Sequence, residues 1–588
     1  MRPIRRVHPR NLTKTSSLTV GLHPLEGRGS ILKTAAEVTA AKLRGGFYTP
    51  PALVGHALRN LRRLLPTAAA TRLLEPGVGD GAFIDGLVKA GFPVEEITAL
   101  DVDPDAVAVT RSKLSRHGIS GKALHQSTLA WSLGTTEHFD AVIGNLPFVR
   151  FQFVPAADRE AALLNAERLG VQIGGVANLW LPMLLASLSR LRVGGAFSLV
   201  LPAECFTGVS AGSARSWLLS NTAELRCDLY PPGSFPGVLQ EVVLLSGRRS
   251  IPSTSDRCNV TVALHSAQYS ATEFDEEQAQ VTHHQVKPDG GSWTRLLITP
   301  SQLNALDEAL AIPAVAYLRT VAKFEVAAVT GANAYFSLRE SEVRAYELKP
   351  WVRPLLARAN QAPGLHFTPA DHEMNVRANR VAFLFDSSQA QLVRSRTPGV
   401  DDYLKDGENR EIDRRYKCRI RQPWYQIPYI KHAQLMLSKR CHYYPRAIYN
   451  DTDAVTTDTI YRGRLLTDSL TAPDFVAAFH NSLTLLTAEL EGRNFGGGVL
   501  ELVPSEVGRL SIVKAQGLGG ELGRLDACFR ESAEANSSEN IVWETDLLLQ
   551  KSKLGITARI LDQLRQARHT LQRRRLDRAL SEPVQLDS

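Results

Sequence analysis

The sequence predicts an α/β protein: a doubly wound, mainly parallel sheet, then a second domain of shorter mixed elements, then a helical end. Three observations predict it. Strand-like and helix-like patterns alternate from about residue 72, which is the pattern of parallel strands joined by crossover helices. A glycine-rich turn, Pro76-Gly77-Val78-Gly79-Asp80-Gly81, follows the first of those strands and opens a helix. The alternation lapses after about residue 250 and a helical period returns from about Gly520. At 588 residues the chain has room for two to four domains, given roughly 100 to 200 residues in each.

In order, residues 1–30 carry Arg2, Arg5, Arg6 and Arg10 among Ser, Thr, Gly and Pro, and read as a flexible basic arm. Residues 31–44 read as a helix. Strands are expected at 72–75, 97–102, 122–126 and 139–144, with helices after Ala82 and from Pro104. An amphipathic run over 179–191 ends at Gly194-Gly195, and strands follow at 196–201 and 239–246. Residues 31–250 thus make the first domain, 251–292 a polar linker, 293–515 the second domain and 516–588 a helical C-terminal region.

Composition excludes several classes. Apolar residues make up 44% and charged residues 22%, as in ordinary globular chains. The longest apolar run, 179–188, is far short of the roughly 20 residues of a bilayer-spanning helix, and no apolar stretch follows the N-terminal arginines, so a cytoplasmic protein is expected. Six cysteines, at 205, 227, 258, 418, 441 and 528, form no CxxC pair, so neither a disulfide framework nor a metal centre is expected. The pair His283-His284 reads as a solvated loop.

The net charge is +8, and ten Lys/Arg between Arg410 and Arg446 face only Glu411 and Asp413. That one stretch carries the whole excess. It also holds Tyr416, Trp424, Tyr425, Tyr429, Tyr443 and Tyr444, and cations interleaved with aromatics suit phosphates and unstacked bases. The candidate contacts to nucleic acid are Arg414, Arg415, Lys417, Arg419, Arg421, Trp424, Tyr425, Lys439 and Arg440.

Three strings carry chemistry. Glu75 and the glycines after it end one strand, where backbone can approach a ligand closely. Asp101, in Leu100-Asp101-Val102-Asp103-Pro104, ends the next, where a carboxylate can accept from two ribose hydroxyls. No GxGxxG fingerprint is present, which favours S-adenosylmethionine over a nicotinamide dinucleotide. Asn145-Leu146-Pro147-Phe148 ends the fourth strand with an amide, a carbonyl ahead of a rigid proline, and an aromatic face. The Asn145 side-chain oxygen and the Leu146 carbonyl can each accept one N–H of an exocyclic amine while Phe148 stacks on the ring.

In these strings the chain resembles the N6-adenine DNA methyltransferases of type II restriction-modification systems, specifically the gamma group of amino-methyltransferases. The resemblance implies a Rossmann-like class I S-adenosylmethionine-dependent methyltransferase domain with a mixed seven-stranded sheet, followed by an α+β target recognition domain. It covers about residues 40 to 515. Gly46-Phe47-Tyr48-Thr49-Pro50 resembles the motif that closes over the methionine end of the cofactor, and Ser234-Phe235-Pro236 the motif whose aromatic packs on a flipped base opposite Phe148. The implied cofactor contacts are Tyr48, Thr49, Pro50, Glu75, Pro76, Gly77, Gly79, Gly81, Asp101, Val102, Ser127, Thr128 and Asn145. The implied catalytic residues are Asn145, Leu146, Pro147, Phe148 and Phe235, with no metal. The strings Val329 to Phe336, Gln422 to Tyr425 and Arg493 to Gly498 resemble parts of the recognition domain. The implied partners are duplex DNA and a separately encoded restriction endonuclease.

Two positions depart from the family pattern. Leu146 stands where proline is usual, and Ser127 where an aspartate usually accepts from the cofactor's adenine. Ribosomal RNA adenine dimethyltransferases carry a similar Asn-Leu-Pro-Tyr, so RNA adenine stays open as a substrate, as does a protein glutamine side chain. An inactive DNA-binding homologue is the reading from another class.

Overall fold

The computed structural model describes residues 49–65, 71–173, 178–207, 211–230, 242–252, 257–265, 279–388, 397–495, 498–534 and 539–581. The sequence's flexible arm and its helix at 31–44 lie outside these residues.

The first domain is built on β1 (Thr71–Pro76), β2 (Val94–Asp101), β3 (Gly121–His125), β4 (Phe139–Asn145), β5 (Leu191–Pro202), β6 (Thr222–Leu229) and β7 (Val242–Arg249). They form one sheet in the order β3-β2-β1-β4-β5-β7-β6. The first five run parallel, and β7 is antiparallel to both β5 and β6. These seven have the order and directions of the mixed α/β sheet of the class I methyltransferase fold, but the sheet itself has nine strands rather than the expected seven. Ala141, Val142 and Ile143 are fully buried, as a parallel strand covered by helices on both faces requires. The strand order reverses between β1 and β4, so a crevice opens beyond their carboxyl ends.

The helices are α1 (Pro51–Leu64), α2 (Ala82–Lys89), α3 (Pro104–His117), α4 (Thr128–Gly134), α5 (Ala156–Arg168) and α6 (Trp180–Ser189). The α1 helix starts at Pro51 and buries Leu53, Val54, Ala57, Leu58 and Leu61. It lies so close to α2 that a Cβ on Gly86 would stand 2.2 Å from Val54 Cγ1. At the other end of β2, Asp103 caps α3 by accepting from the Asp105 amide, Pro104 supplies the first turn, and Gly118 closes it in the left-handed conformation.

The stretch expected to be a polar linker, 251–292, instead extends the sheet. β8 (Cys258–Leu264) runs parallel to β6, and β9 (Gln280–Val286) runs antiparallel to β8. His283 and His284 therefore lie on a strand, not in a solvated loop: His284 is buried while His283 faces solvent. The period-two pattern there is masked by polar residues on the outer face.

The second region has a five-stranded sheet, whose central strands are Ile460–Leu465 and Leu435–Ser438, and a four-stranded sheet around Val381–Phe385 and Val352–Leu356. Helices Leu522–Glu534, Glu539–Lys551 and Ala558–Ser581 close the chain. The basic end of the last helix is divided between solvent and core. Arg573 is exposed, but Arg575 is 1% exposed and donates to both oxygens of Glu489 at 3.0 and 2.6 Å. No helix among the described residues is long and apolar enough to cross a membrane.

Candidate active site and nucleic-acid face

The carboxyl ends of β1, β2 and β4 bring the three sequence strings together. After β1 the chain turns onto β2, with the Gly77 and Val78 amides donating to the Leu100 carbonyl at 2.8 and 3.0 Å. Gly77, Gly79 and Gly81 all hold positive φ, at 77°, 54° and 72°, which L-residues with a Cβ rarely adopt. A Cβ on Gly77 would stand 3.9 Å from the Asn145 carbonyl, 3.9 Å from Pro147 Cδ and 3.7 Å from Met183 Cε. The glycine loop and the Asn145 string thus face each other across one crevice.

Asp101 accepts from the Gly79 amide and from the Asp103 amide, both at 2.9 Å, so two backbone donors fix its carboxylate at the sheet edge. Beside it Val102 is 61% exposed, an apolar surface that a planar ring would cover. Ser127 stands at the start of α4 without making a capping bond, and the Gln126 amide ties this turn to the Asp101 carbonyl at 3.0 Å. Thr128 is buried behind it.

Glu75 is fully buried, and neither carboxylate oxygen has a hydrogen-bond partner. Burial, and after it the charges of Asp80 and Asp101, hold its pKa well above the ordinary 4.5. A buried carboxyl without donors costs stability, and its persistence at a crevice suits a cationic ligand group. Lys113 does not neutralise it directly, because its ammonium is bound by Asp85 Oδ2 at 2.6 Å and the Asp80 carbonyl at 2.7 Å.

Asn145 ends β4. Its Nδ2 donates to Thr49 Oγ1 at 3.2 Å, while its Oδ1 is buried and unpartnered. The threonine thereby fixes which way the amide points, and leaves an acceptor uncommitted. Leu146 is 1% exposed with its side chain in the core, and its amide donates to the Val200 carbonyl at 3.2 Å. Its departure from proline therefore leaves the local backbone in register with β5. Pro147 and Phe148 are half-buried. The loop beyond them is tied down where the Leu179 amide donates to the Val149 carbonyl at 2.7 Å. Thr49 is buried and Pro50 caps α1. Tyr48, and Phe235 within Ser234-Phe235-Pro236, lie outside the described residues.

The basic aromatic stretch divides in two. Arg415, Lys417 and Arg419 are exposed and have no acidic partner among the described residues, with Tyr416 and Tyr429 beside them in sequence at 69% and 76% exposure. Arg414 is exposed but paired with Glu411 at 2.6 Å, and Lys439 and Arg440 share Glu501 at 3.4 and 3.2 Å. Arg421 does not match the expected phosphate contact. Its guanidinium turns inward and donates to the Thr330 and Val329 carbonyls at 2.7 and 2.6 Å. Trp424 and Tyr425 likewise depart from the expected base-stacking surface. Both are half-buried against the aromatic core of the second region, with Trp424 5.9 Å from Tyr335 and Tyr425 6.4 Å from Phe385, centroid to centroid. The strings at Val329 to Phe336 and Gln422 to Tyr425 thus meet as one structural unit.

A cluster that sequence reasoning missed lies behind the crevice. His56 and Asn60 on α1, Asp228 and Tyr230 at the end of β6, and His265 after β8 are buried together. The discernible signal was His56 and Asn60, four residues apart on the apolar face of α1. His56, Asp228 and His265 stand within metal-ligand range of one another. However, Asp228 already accepts from Arg226 at both oxygens, from Asn60 at 2.9 Å and from His265 at 3.0 Å, which leaves it no lone pair for an ion.

Comparison with known proteins gives consistent similarities. Residues 290–547 match the model of the C-terminal domain of the type II methyltransferase M.Eco57I. The type II methyltransferase M.AccI of Acinetobacter calcoaceticus is 20% identical over 317 residues, covering 51% of this chain and 54% of that protein. The chain thus aligns with about half the length of that relative. The type II methyltransferase M.XamI of Xanthomonas campestris pv. amaranthicola is 23% identical over 484 residues, 81% of this chain and 86% of that protein. A release factor glutamine methyltransferase of Deinococcus radiodurans is 35% identical over 106 residues, 18% of this chain and 34% of that protein. With residues 290–547 matching the C-terminal domain of a type II methyltransferase, and relatives named type II methyltransferases aligned along most of its length, the chain is similar to the type II methyltransferases of restriction-modification systems.

Proposed function

We propose that this chain transfers a methyl group from S-adenosylmethionine to N6 of an adenine flipped out of a specific duplex DNA sequence. The observation that carries the reading is Asn145: a buried, unpartnered amide oxygen whose orientation Thr49 fixes, beside the glycine loop, one residue from the Leu146 carbonyl and three from the Phe148 ring. Asn145 Oδ1 and the Leu146 carbonyl each accept one N–H of the adenine amine. That pair of acceptors turns the nitrogen lone pair out of conjugation with the ring, so no general base is needed first. Phe148 stacks on the base, and the resemblance assigns the opposite face of the base to Phe235.

The crevice residues fit S-adenosylmethionine. The orphaned Glu75 carboxylate suits the methionine ammonium, Asp101 the ribose hydroxyls, Val102 and Ser127 the adenine, and Gly77, Gly79 and Gly81 allow close approach. When bound, the cofactor supplies the activated methyl group. Extruding a paired base costs a few kcal/mol, which phosphate contacts from Arg415, Lys417 and Arg419 offset. The activity protects DNA from a separately encoded endonuclease in the cytoplasm.

The local likeness to a glutamine methyltransferase supports a second reading, since a glutamine amide presents the same planar N–H geometry. One experiment separates them: single-molecule sequencing of genomic DNA from a methylation-free host expressing this chain, beside an Asn145→Ala control. N6-methyladenine at one recurring motif, absent from the control, is expected. Unmodified DNA from a cofactor-binding protein overturns the DNA reading in favour of RNA or protein substrates.

A further inference from the structure

Resting on the reading above, we propose that Asp228 is a positioning residue: by accepting from Asn60, with His56 held beside it through Tyr230, it fixes the register of α1 on the sheet, and so the place of Thr49 against Asn145. The apolar face of α1, Leu53 to Leu61, holds the helix to the sheet, but apolar contacts are non-directional and tolerate sliding. Directional bonds do not. Asn60 donates to Asp228 Oδ2 at 2.9 Å and to Ser246 Oγ at 3.2 Å, and Ser246 lies 2.8 Å from Ser198 Oγ, so three strands and the helix meet at one amide. One turn nearer the crevice, His56 Nδ1 lies 2.9 Å from the Tyr230 hydroxyl and its Nε2 3.7 Å from Asp228 Oδ1.

The carboxylate itself is immobilised. Arg226 chelates it at 2.8 to 3.1 Å and His265 lies 3.0 Å from Oδ1, with the His265 ring stacked on Tyr230 at 5.0 Å and 8°. A fixed buried acceptor that Asn60 meets directly, with His56 bonded to Tyr230 one turn away on α1, sets both the axial position and the rotation of that helix. The consequence appears at the helix's N-terminal end. Thr49, just ahead of the capping Pro50, is the acceptor that orients the Asn145 amide. A shift of α1 by a fraction of an ångström lengthens that 3.2 Å bond and frees the amide to rotate. Tyr230 directly follows the last residue of β6, so the same cluster also anchors the exit of that strand.

The test is a double-mutant cycle in the full chain. Asn60→Leu removes the donor while keeping the branching and number of side-chain heavy atoms, and leaves Asp228 held by Arg226 and His265. Thr49→Val removes the acceptor. Methylation of DNA carrying the recognised motif is measured for the wild type, both single variants and the double variant. Each single variant is expected to lower kcat about tenfold, and the double no further than about tenfold, because both act on the same amide. A double variant that loses about a hundredfold, or an Asn60→Leu protein with the wild-type kcat, overturns the proposal. If Asn60→Leu does not fold, His56→Gln takes its place in the same cycle, and the same two outcomes support or overturn the role. If the wild type methylates no DNA, the reading of function fails separately; the cycle is then run on S-adenosylmethionine affinity by calorimetry, where additive losses overturn the positioning role and non-additive losses support it.

Discussion

The crevice of the first domain and the basic stretch of the second use their polar groups in opposite ways. In the crevice, Glu75 keeps two buried oxygens and Asn145 one without any partner. In the second region, three polar side chains at the aromatic core, Tyr335, Tyr403 and Arg421, are satisfied from within. Tyr335 and Tyr403 donate to each other's carbonyls at 2.7 and 2.8 Å, and Arg421 takes two carbonyls. Leaving a buried polar group unpaired costs about 1–3 kcal/mol, and folding tolerates it where a ligand completes the bond. A saturated group has done its work in the apo fold. Chemistry is therefore to be sought at buried groups whose partners are missing in the crevice, and on the second domain at exposed groups that nothing else claims.

Removing the crevice's unpartnered amide is the most severe test of this contrast. Asn145→Ala is expected to lower methyl transfer on the order of a thousandfold, as losing a preorganised transition-state contact does. Its thermal midpoint should stay close to that of the wild type, since Oδ1 has no partner and the substitution removes only the 3.2 Å bond from Nδ2 to Thr49. A variant with a near wild-type rate would show that the unpartnered oxygen is incidental, and would remove the distinction between the two regions.

The difference also explains what was legible in the sequence. The alternation from residue 72 and the ends of β1, β2 and β4 could be read because each chemical string is contiguous, and a strand end followed by a turn has few geometries. The pairing of Thr49 with Asn145 across 96 residues, and the cluster around Asp228, join three distant elements and have no local pattern. The strands β8 and β9 were missed because Thr, His, Gln and Asn on their outer face dilute the apolar period. In the basic stretch, charge density was legible but direction was not: Arg419 and Arg421 are two residues apart, and nothing local says that one faces solvent while the other reaches the Val329 and Thr330 carbonyls.

That pair probes the contrast through an effect of intermediate size. Arg419→Ala should weaken DNA binding about three- to tenfold at moderate salt and reduce the slope of log affinity against log salt by about one, with the thermal midpoint unchanged. Arg421→Ala should do the reverse. It leaves two inward carbonyls without their donor, at a cost of about 1–3 kcal/mol, and changes the salt slope little. Salt-dependent fluorescence anisotropy and thermal melts on the same two proteins check this. Equal salt slopes for both variants would mean that the inward hydrogen bonds of Arg421 do not separate structural from binding cations.

The smallest effect tests the cost of the unpartnered carboxyl directly. Glu75 is buried with its pKa held well above 4.5, first by burial and then by Asp80 and Asp101. Between its unfolded and folded values the native state binds more protons than the unfolded one, so stability falls as pH rises through that window. Below the unfolded value both states are protonated and the cost is absent. Glu75→Gln keeps the shape and cannot ionise, so its advantage over the wild type should be negligible near pH 4 and grow towards pH 8. There the apo protein is expected to melt about 1–2 °C higher. The same substitution should weaken S-adenosylmethionine binding, because the charge that burdens the apo fold is the one that meets the methionine ammonium. Opposite signs for stability and affinity, from one oxygen-to-nitrogen exchange, would tie the orphaned carboxylate to its ligand. A variant destabilised at pH 8 would mean that Glu75 is a structural group whose donors form only in solution.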